Sequence, residues 1–186
     1  MSVKKVIYRE VRKDFKDCDI LLFKGKSFYS RVMEWVTHSE YSHSGMVIWW
    51  HERLMVMDVT AKGVIVQPLS RKLKGYKGEV DWFGSKKEIH GKERVKMVIF
   101  AQEELGKAYA LWRVIWLGIK LLLKIKLSAK DYKHSPARLY CAEYVSETYE
   151  SIGLDLDIHV AGRNTTPGDI AKSPLLEMKG VVQPDT

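Results

Sequence analysis

Two apolar runs separated by only three polar residues restrict the possible folds of this chain most strongly. They read HSGMVIWW (43–50) and LMVMDVT (54–60), with HER between them. A crossover between parallel strands needs a dozen or more residues, so these two strands must pair antiparallel as a hairpin. Glycines and turn residues delimit further strands at 18–25, 63–69 and 75–84.

The hairpin carries one ionisable side chain near the open end of each strand. The short turn allows two registers, in which the numbers of two facing residues add up to about 101 or about 103. The first register places His43 directly opposite Asp58, and the second places it diagonal to Asp58. Both registers keep the two groups on one face and within reach of each other. An unpaired buried carboxylate is costly, and a carboxylate beside an imidazole fixes its tautomer. We therefore expect Asp58 and His43 to be partners.

A cysteine begins the predicted amphipathic helix CAEYVSETYESIG (141–153). The positive end of a helix dipole lowers the pKa of a thiol, and a nearby imidazolium lowers it further. Cys141, His43 and Asp58 would then be sufficient for acyl transfer through a thiolate. A lone cysteine or histidine is more often structural, so the prediction depends on all three together.

A tetrahedral intermediate of acyl transfer needs hydrogen-bond donors for its oxyanion. The backbone N–H of Cys141 would supply one donor. Three tyrosines are candidates for the second donor or for a substrate contact: Tyr41, Tyr29 and Tyr140.

Composition narrows the class of protein. The 186 residues are 46% hydrophobic, which allows a real core, and we expect one domain over 1–186. The two cysteines form no disulfide framework or zinc motif, so a reducing compartment is expected, with no metal and no cofactor. Cys18 lies in an apolar run and is interpreted as a core residue.

The most apolar stretch is YALWRVIWLGIKLLLKIKL (109–127), which four cations interrupt. A membrane-spanning helix needs about 20 largely uncharged residues, so we do not expect one here. The charged N-terminus also lacks a signal sequence, which favours a cytoplasmic location. Arg113, Lys120 and Lys124 share one helical face, and with a net charge of +8 they suit a peripheral contact with an anionic membrane. A long core helix, or a lid inserted over 109–134, is the alternative.

The remaining pattern indicates helices over 27–36 and over 93–112, the latter continuing to about 127. Residues 164–182 are expected to form a loop, a single helical turn and a last edge strand. Hairpin-connected strands with segregated helices are typical of an α+β fold.

Six short motifs occur in a specific order between residues 17 and 176: DILLF, YSHSGMVI, VMDVTAKGVIVQPL, LGKAY, YCAEYVSETYESIG and TPGDIAKSPLL. Together they resemble the permuted branch of the NlpC-like papain-fold amidases, the YiiX type. The resemblance implies a circularly permuted papain-like fold, with a small antiparallel sheet packed on the helix of the nucleophile. It assigns Cys141 as nucleophile, His43 as base and Asp58 as the third polar residue.

The chain departs from this family at three places. Cys18 replaces the usual glycine before the first aspartate, Asp58 replaces a more common glutamate, and 109–127 is unusually apolar and basic.

The resemblance implies a cysteine hydrolase of amide bonds in peptides or peptidoglycan, γ-glutamyl bonds included. One alternative is a lipid acyl hydrolase or acyltransferase, similar in its His-before-Cys order to the lecithin–retinol acyltransferase group. Another is an inactive basic module that binds membrane or, less in keeping with the sequence, nucleic acid.

Overall fold

A computed structural model of the chain describes residues 4–26, 39–60, 63–106, 108–109, 138–139, 141–156 and 165–185. These residues contain strands and helices in the mixed order of an α+β protein. The strands are β1 Lys5–Ile7, β2 Ile20–Lys24, β3 His43–Trp50, β4 Arg53–Thr60, β5 Gly63–Pro68, β6 Glu79–Ser85, β7 Ala108–Tyr109, β8 Arg138–Leu139 and β9 Leu176–Gln183. The α-helices are α1 Tyr8–Val11, α2 Leu69–Gly75, α3 Gly91–Glu103, α4 Cys141–Glu150 and α5 Pro167–Lys172.

Seven of the strands form one sheet in the order β1-β9-β6-β2-β3-β4-β5. Neighbouring strands are antiparallel except β1 and β9, which are parallel. The sheet is therefore larger than the small antiparallel sheet that the sequence predicted. The prediction of a last edge strand is also wrong, because β1 pairs with β9 along the side that β6 leaves free.

The predicted hairpin is confirmed. Strands β3 and β4 meet at a turn in which His51 adopts a positive φ of 52°, and Gly45 pairs with Asp58. This pairing is the register that places His43 diagonal to Asp58.

Both faces of the central strands are covered, which explains why β3 reads as a continuous apolar run. On one face, Met46 and Met57 belong to the same buried cluster as Tyr144 and Val145 of α4. On the other face, buried strand residues join two leucines of α2: Val47, Val56, Leu69 and Leu73. The sheet therefore lies between α4 and α2.

Hydrogen bonds from two buried tyrosines fix the position of α4. The Tyr144 hydroxyl donates to the carbonyl oxygen of Ala101 at 2.9 Å, and the Tyr149 hydroxyl donates to that of Cys18 at 2.9 Å. These bonds connect α4 to the end of α3 and to the residues before β2. The first residue of α4, Cys141, is thereby held against the sheet.

Helix α3 is shorter than the sequence predicted. It ends at Glu103, Gly106 adopts a positive φ of 79°, and Ala108–Tyr109 form a short strand. The prediction of a helix through residue 112 is wrong because the chain turns at a glycine in the left-handed region.

Several predictions lie outside the described residues, namely the helix over 27–36 and most of the candidate lid over 109–134. The single domain over 1–186 stays a prediction. Within the described part of the chain, none of the helices has the length and hydrophobicity needed to cross a membrane.

Candidate active site

His43 and Asp58 are hydrogen-bonded through the imidazole Nε2 and the carboxylate Oδ1. The Asp58 side chain is fully buried, whereas 22% of the His43 side chain is exposed. Because Nε2 is used by Asp58, Nδ1 is the ring nitrogen left for another partner. The sequence prediction that Asp58 has His43 as its partner is confirmed.

Gly45 lies next to Asp58 at a place where neighbouring atoms leave little room for a side chain. It shares a strand face with His43 and pairs directly with Asp58. A Cβ atom at Gly45 would lie 3.0 Å from the carbonyl oxygen of Met57 and 3.3 Å from Cγ2 of Val56. A side chain at this position would therefore require the Met57 backbone or the Val56 side chain, both close to Asp58 on β4, to shift.

The Asp58 carboxylate has two further partners. The Lys72 ammonium of α2 forms a salt bridge with Oδ2, and the Gln67 amide nitrogen of β5 lies 3.4 Å from the same oxygen. Burial alone would raise the pKa of Asp58. The opposing effects of His43 and then Lys72 are together larger, and they lower this pKa to about 2.

Cys141 lies at the N-terminus of α4, and 8% of the residue is exposed. Burial alone would raise the pKa of its thiol. The charge of His43 and its hydrogen bond to the sulfur outweigh burial, and the backbone N–H and side chain of Ser44 add to the effect. The pKa of Cys141 is lowered as a result, which favours a thiolate.

The pKa of His43 moves in the opposite direction. Burial alone would lower it, but the Cys141 thiolate and then the Asp58 carboxylate raise it to about 10. The two shifts have opposite signs and the same cause, so both favour a thiolate–imidazolium pair at this site. In such a pair the sulfur would be nucleophilic and the imidazole would carry the proton.

The site spans the end of the sheet. Cys141 belongs to the buried cluster on the α4 face. The His43 ring also contacts the Phe23 ring of the opposite cluster, with centroids 5.4 Å apart. As the first residue of β3, His43 can contact groups on both sides of the sheet.

The three tyrosines predicted as donors have different outcomes. Tyr41 is buried, and its hydroxyl donates a hydrogen bond to Oδ2 of Asp81 at 2.7 Å. In this structure its proton therefore points to Asp81 and not to the Cys141 site. Lys24 also bonds Oδ2 of Asp81, at 3.0 Å, and Oδ1 of that carboxylate has no hydrogen-bond partner among the residues that the structure describes. Tyr29 and Tyr140 lie outside the described residues. An oxyanion role for any of the three stays a prediction.

Cys18 is buried like Cys141 but has different charged neighbours. It is completely buried, and this burial, with the nearby Asp17 carboxylate, raises the pKa of its thiol to about 12. Its φ of 63° is in the left-handed region, a conformation in which a glycine is unstrained. The interpretation of Cys18 as a core residue agrees with its position.

Sequence reasoning missed three side chains that contact these groups: Lys72, Gln67 and Ser44. The spacing of Leu69 and Leu73 is a helical signal that could have placed Lys72 on a short helix. Nothing in the sequence indicates that this helix folds back against β4. Gln67 and Ser44 carry no local signal, because their roles depend on the strand register.

The architecture is similar to that of a solved structure, the crystal structure of the metalloprotein YiiX (DUF1105) from Escherichia coli O157:H7. The TM-score is 0.69, and the alignment covers 91% of this chain and 98% of that chain at 20% identity. No family model matches the chain, and a search of curated proteins found no match. At 20% identity the similarity shows a YiiX-like α+β fold and leaves the activity to be inferred from the site.

The two cysteines should react very differently with an alkylating reagent. We expect iodoacetamide near pH 7 to modify Cys141 about 100-fold faster than Cys18 or more, because only Cys141 has a lowered pKa. Peptide mapping by mass spectrometry over time would give both rates. The variant His43→Gln should slow only the reaction of Cys141, and equal rates for the two cysteines in the folded protein would contradict a thiolate at Cys141.

Proposed function

We propose that the protein is a cysteine hydrolase that cleaves an amide bond through an acyl-enzyme on Cys141. The observation that carries this proposal is the hydrogen-bonded series from Cys141 through His43 to Asp58. The series combines a nucleophile at a helix N-terminus, an acid–base group and a carboxylate that orients it. The resemblance of the sequence motifs to the permuted NlpC-like amidases supports the same chemistry and a permuted papain-like topology.

The proposed reaction begins with attack of the Cys141 thiolate on the substrate carbonyl carbon. A C–S bond forms, and the carbonyl oxygen becomes an oxyanion that the backbone N–H of Cys141 can stabilise. Imidazolium His43 then gives its proton to the leaving nitrogen as the C–N bond breaks. The amine departs and the acyl group remains on sulfur.

Deacylation uses the same groups in reverse. Neutral His43 takes a proton from a water molecule, and the hydroxide oxygen attacks the thioester carbon. The C–S bond breaks, the carboxylic acid is released, and the thiolate–imidazolium pair is restored. Asp58 keeps its charge throughout and holds the ring through Nε2.

A peptide or a peptidoglycan-type peptide, γ-glutamyl bonds included, is the proposed substrate class. Such substrates have the amide carbonyl that the thiolate attacks and a leaving amine that His43 can protonate. The assignment of this substrate class follows the family resemblance.

The YiiX structure is that of a metalloprotein, but the residues of the present site do not fit a metal ion. Among the residues that the structure describes, no group of three or more His, Cys, Asp or Glu could hold one. Both oxygens of Asp58 are already engaged, Oδ1 by His43 and Oδ2 by Lys72. An ammonium bonded to the carboxylate opposes a cation at the same place, and the mechanism uses no metal.

Trapping the acyl-enzyme tests the proposed function. Peptide-like amides and acyl esters would be incubated with the protein in parallel, and the reactions quenched with acid. We expect mass spectrometry to find the acyl group of the amide substrate on Cys141, with Cys18→Ala behaving like the parent. No adduct on Cys141, together with full turnover by Cys141→Ala, would rule out the nucleophile assignment.

Replacing Asp58 by Asn should remove most of the amidase activity. The amide keeps the size of the side chain but removes the charge that orients His43, and the corresponding change in serine-protease triads costs about 10⁴-fold in kcat. We expect a loss of about 10³-fold or more in steady-state assays, with the fold retained by circular dichroism. The matched control is Asp19→Asn, since Asp19 is also a buried carboxylate, directly before β2, but bonds Trp82. Activity of Asp58→Asn within a few-fold of the parent would make Asp58 merely structural.

A lipid acyl hydrolase or acyltransferase is the second candidate, and the basic, apolar sequence over 109–127 favours it. On this proposal Arg113, Lys120 and Lys124 contact an anionic membrane. The double change of Lys120 and Lys124 to Glu should then reduce sedimentation with phosphatidylserine vesicles, most clearly at low salt. Turnover of a small soluble substrate should stay nearly unchanged. Absence of vesicle binding by the parent protein would remove the support for this candidate.

A further inference from the structure

Lys72 is a charged member of the site that the reaction scheme above does not use. Its ammonium bonds Oδ2 of Asp58, the carboxylate oxygen that faces away from His43. Only 19% of the Lys72 side chain is exposed. The ammonium also lies 5.0 Å from the centroid of the Phe23 ring, so two contacts hold it in place.

The four charged groups alternate in sign along the site. Lys72 is positive, Asp58 negative, His43 positive in the ion pair and Cys141 negative. The charges that act on Asp58 are those of His43 and Lys72, and the charges that act on His43 are those of Cys141 and Asp58. Lys24, which follows Phe23 on β2, pairs with Glu40 and Asp81, and Arg71 of α2 is exposed.

We propose that Lys72 is a positioning residue for the hydrolase reaction, holding Asp58 through Oδ2 so that Oδ1 stays directed at Nε2 of His43. This inference rests on the proposed function, because it assigns a role within the same site. Helix α2 is the element that supplies this cation, and it packs against β4 beside Asp58.

The charge of Lys72 also has a consequence for the proton on His43. A carboxylate bonded to an imidazolium makes it a weaker acid, and a weaker acid protonates the leaving amine less readily. The ammonium at Oδ2 offsets part of the Asp58 charge that His43 experiences. Removing Lys72 should therefore raise the pKa of His43. It should raise the pKa of Cys141 by less, because Cys141 is farther from Lys72 than His43 is.

The test compares Lys72→Met and Lys72→Arg with the control Lys74→Met. Lys74 is on the same helix but is exposed, so its loss changes the net charge equally without touching Asp58. The readout is the rate of Cys141 alkylation by iodoacetamide as a function of pH. The acid step of this profile reports the protonation of the thiolate, and the alkaline step reports deprotonation of the imidazolium.

For Lys72→Met we expect both steps to move to higher pH, the alkaline step by roughly half a unit or more. We expect amide turnover to fall about 10-fold, because the carboxylate is no longer held through both oxygens. Lys72→Arg keeps a cation at Oδ2 and should retain the parent profile and activity within a few-fold. Lys74→Met should match the parent in both measurements.

Two outcomes would overturn the inference. One is a Lys72→Met protein whose pH steps match those of the parent, which would leave Lys72 with a structural role only. The other is full activity in that variant. If Lys72→Met does not fold, Lys72→Gln replaces it, because glutamine can still donate to Oδ2 but carries no charge. A parent protein without a thiolate at neutral pH would instead reject the proposed function, so the two failures are distinguishable.

Discussion

The site depends on the contacts of His43 with the Cys141 sulfur and the Asp58 carboxylate, which favour a series of alternating charges: thiolate, imidazolium and carboxylate. Burying any one of these charges alone would be costly, and each is present because its neighbour compensates for it. The requirement fixes much of the surrounding structure. The β3–β4 register must place His43 diagonal to Asp58, and α4 must begin at Cys141 against the end of β3.

The same charges link the site to the stability of the fold. The pKa of His43 is raised from 6.5 to about 10, so its stabilising contribution is fully present below about pH 6.5 and is lost as the pH rises through 10. The pKa of Asp58 is lowered from 3.8 to about 2, so its contribution is present above about pH 4 and is lost as the pH falls through 2. Both contributions are complete between about pH 4 and pH 6.5, whereas the contribution of Cys141, whose pKa is lowered from 9.0, is complete only above about pH 9.

The sequence predicted the parts of this arrangement that follow from local periodicity. Side chains alternate along a strand, so His43 and Asp58 share a face in either register, and an apolar strand with a buried carboxylate indicates a partner. Long-range placement carries no such signal. The parallel pairing of β1 with β9 and the position of Lys72 on α2 both depend on how distant segments pack. The overlong prediction for α3 has a local cause, since the apolar pattern continues past Gly106 although the backbone turns there. The YiiX-like fold supports the architecture, whereas the chemistry is inferred from the side chains.

The protonation state of His43 is the most direct test of this account. Nitrogen NMR of the imidazole ring, assigned by comparison with the His43→Gln variant, can follow the titration of this one residue among the six histidines. We expect His43 to stay protonated well above pH 7 in the parent protein. In Cys141→Ala its pKa should fall, because the charge that contributes most to holding the proton is absent. A His43 that titrates near 6.5 in the parent and is unchanged in Cys141→Ala would contradict the thiolate–imidazolium pair and the reaction built on it.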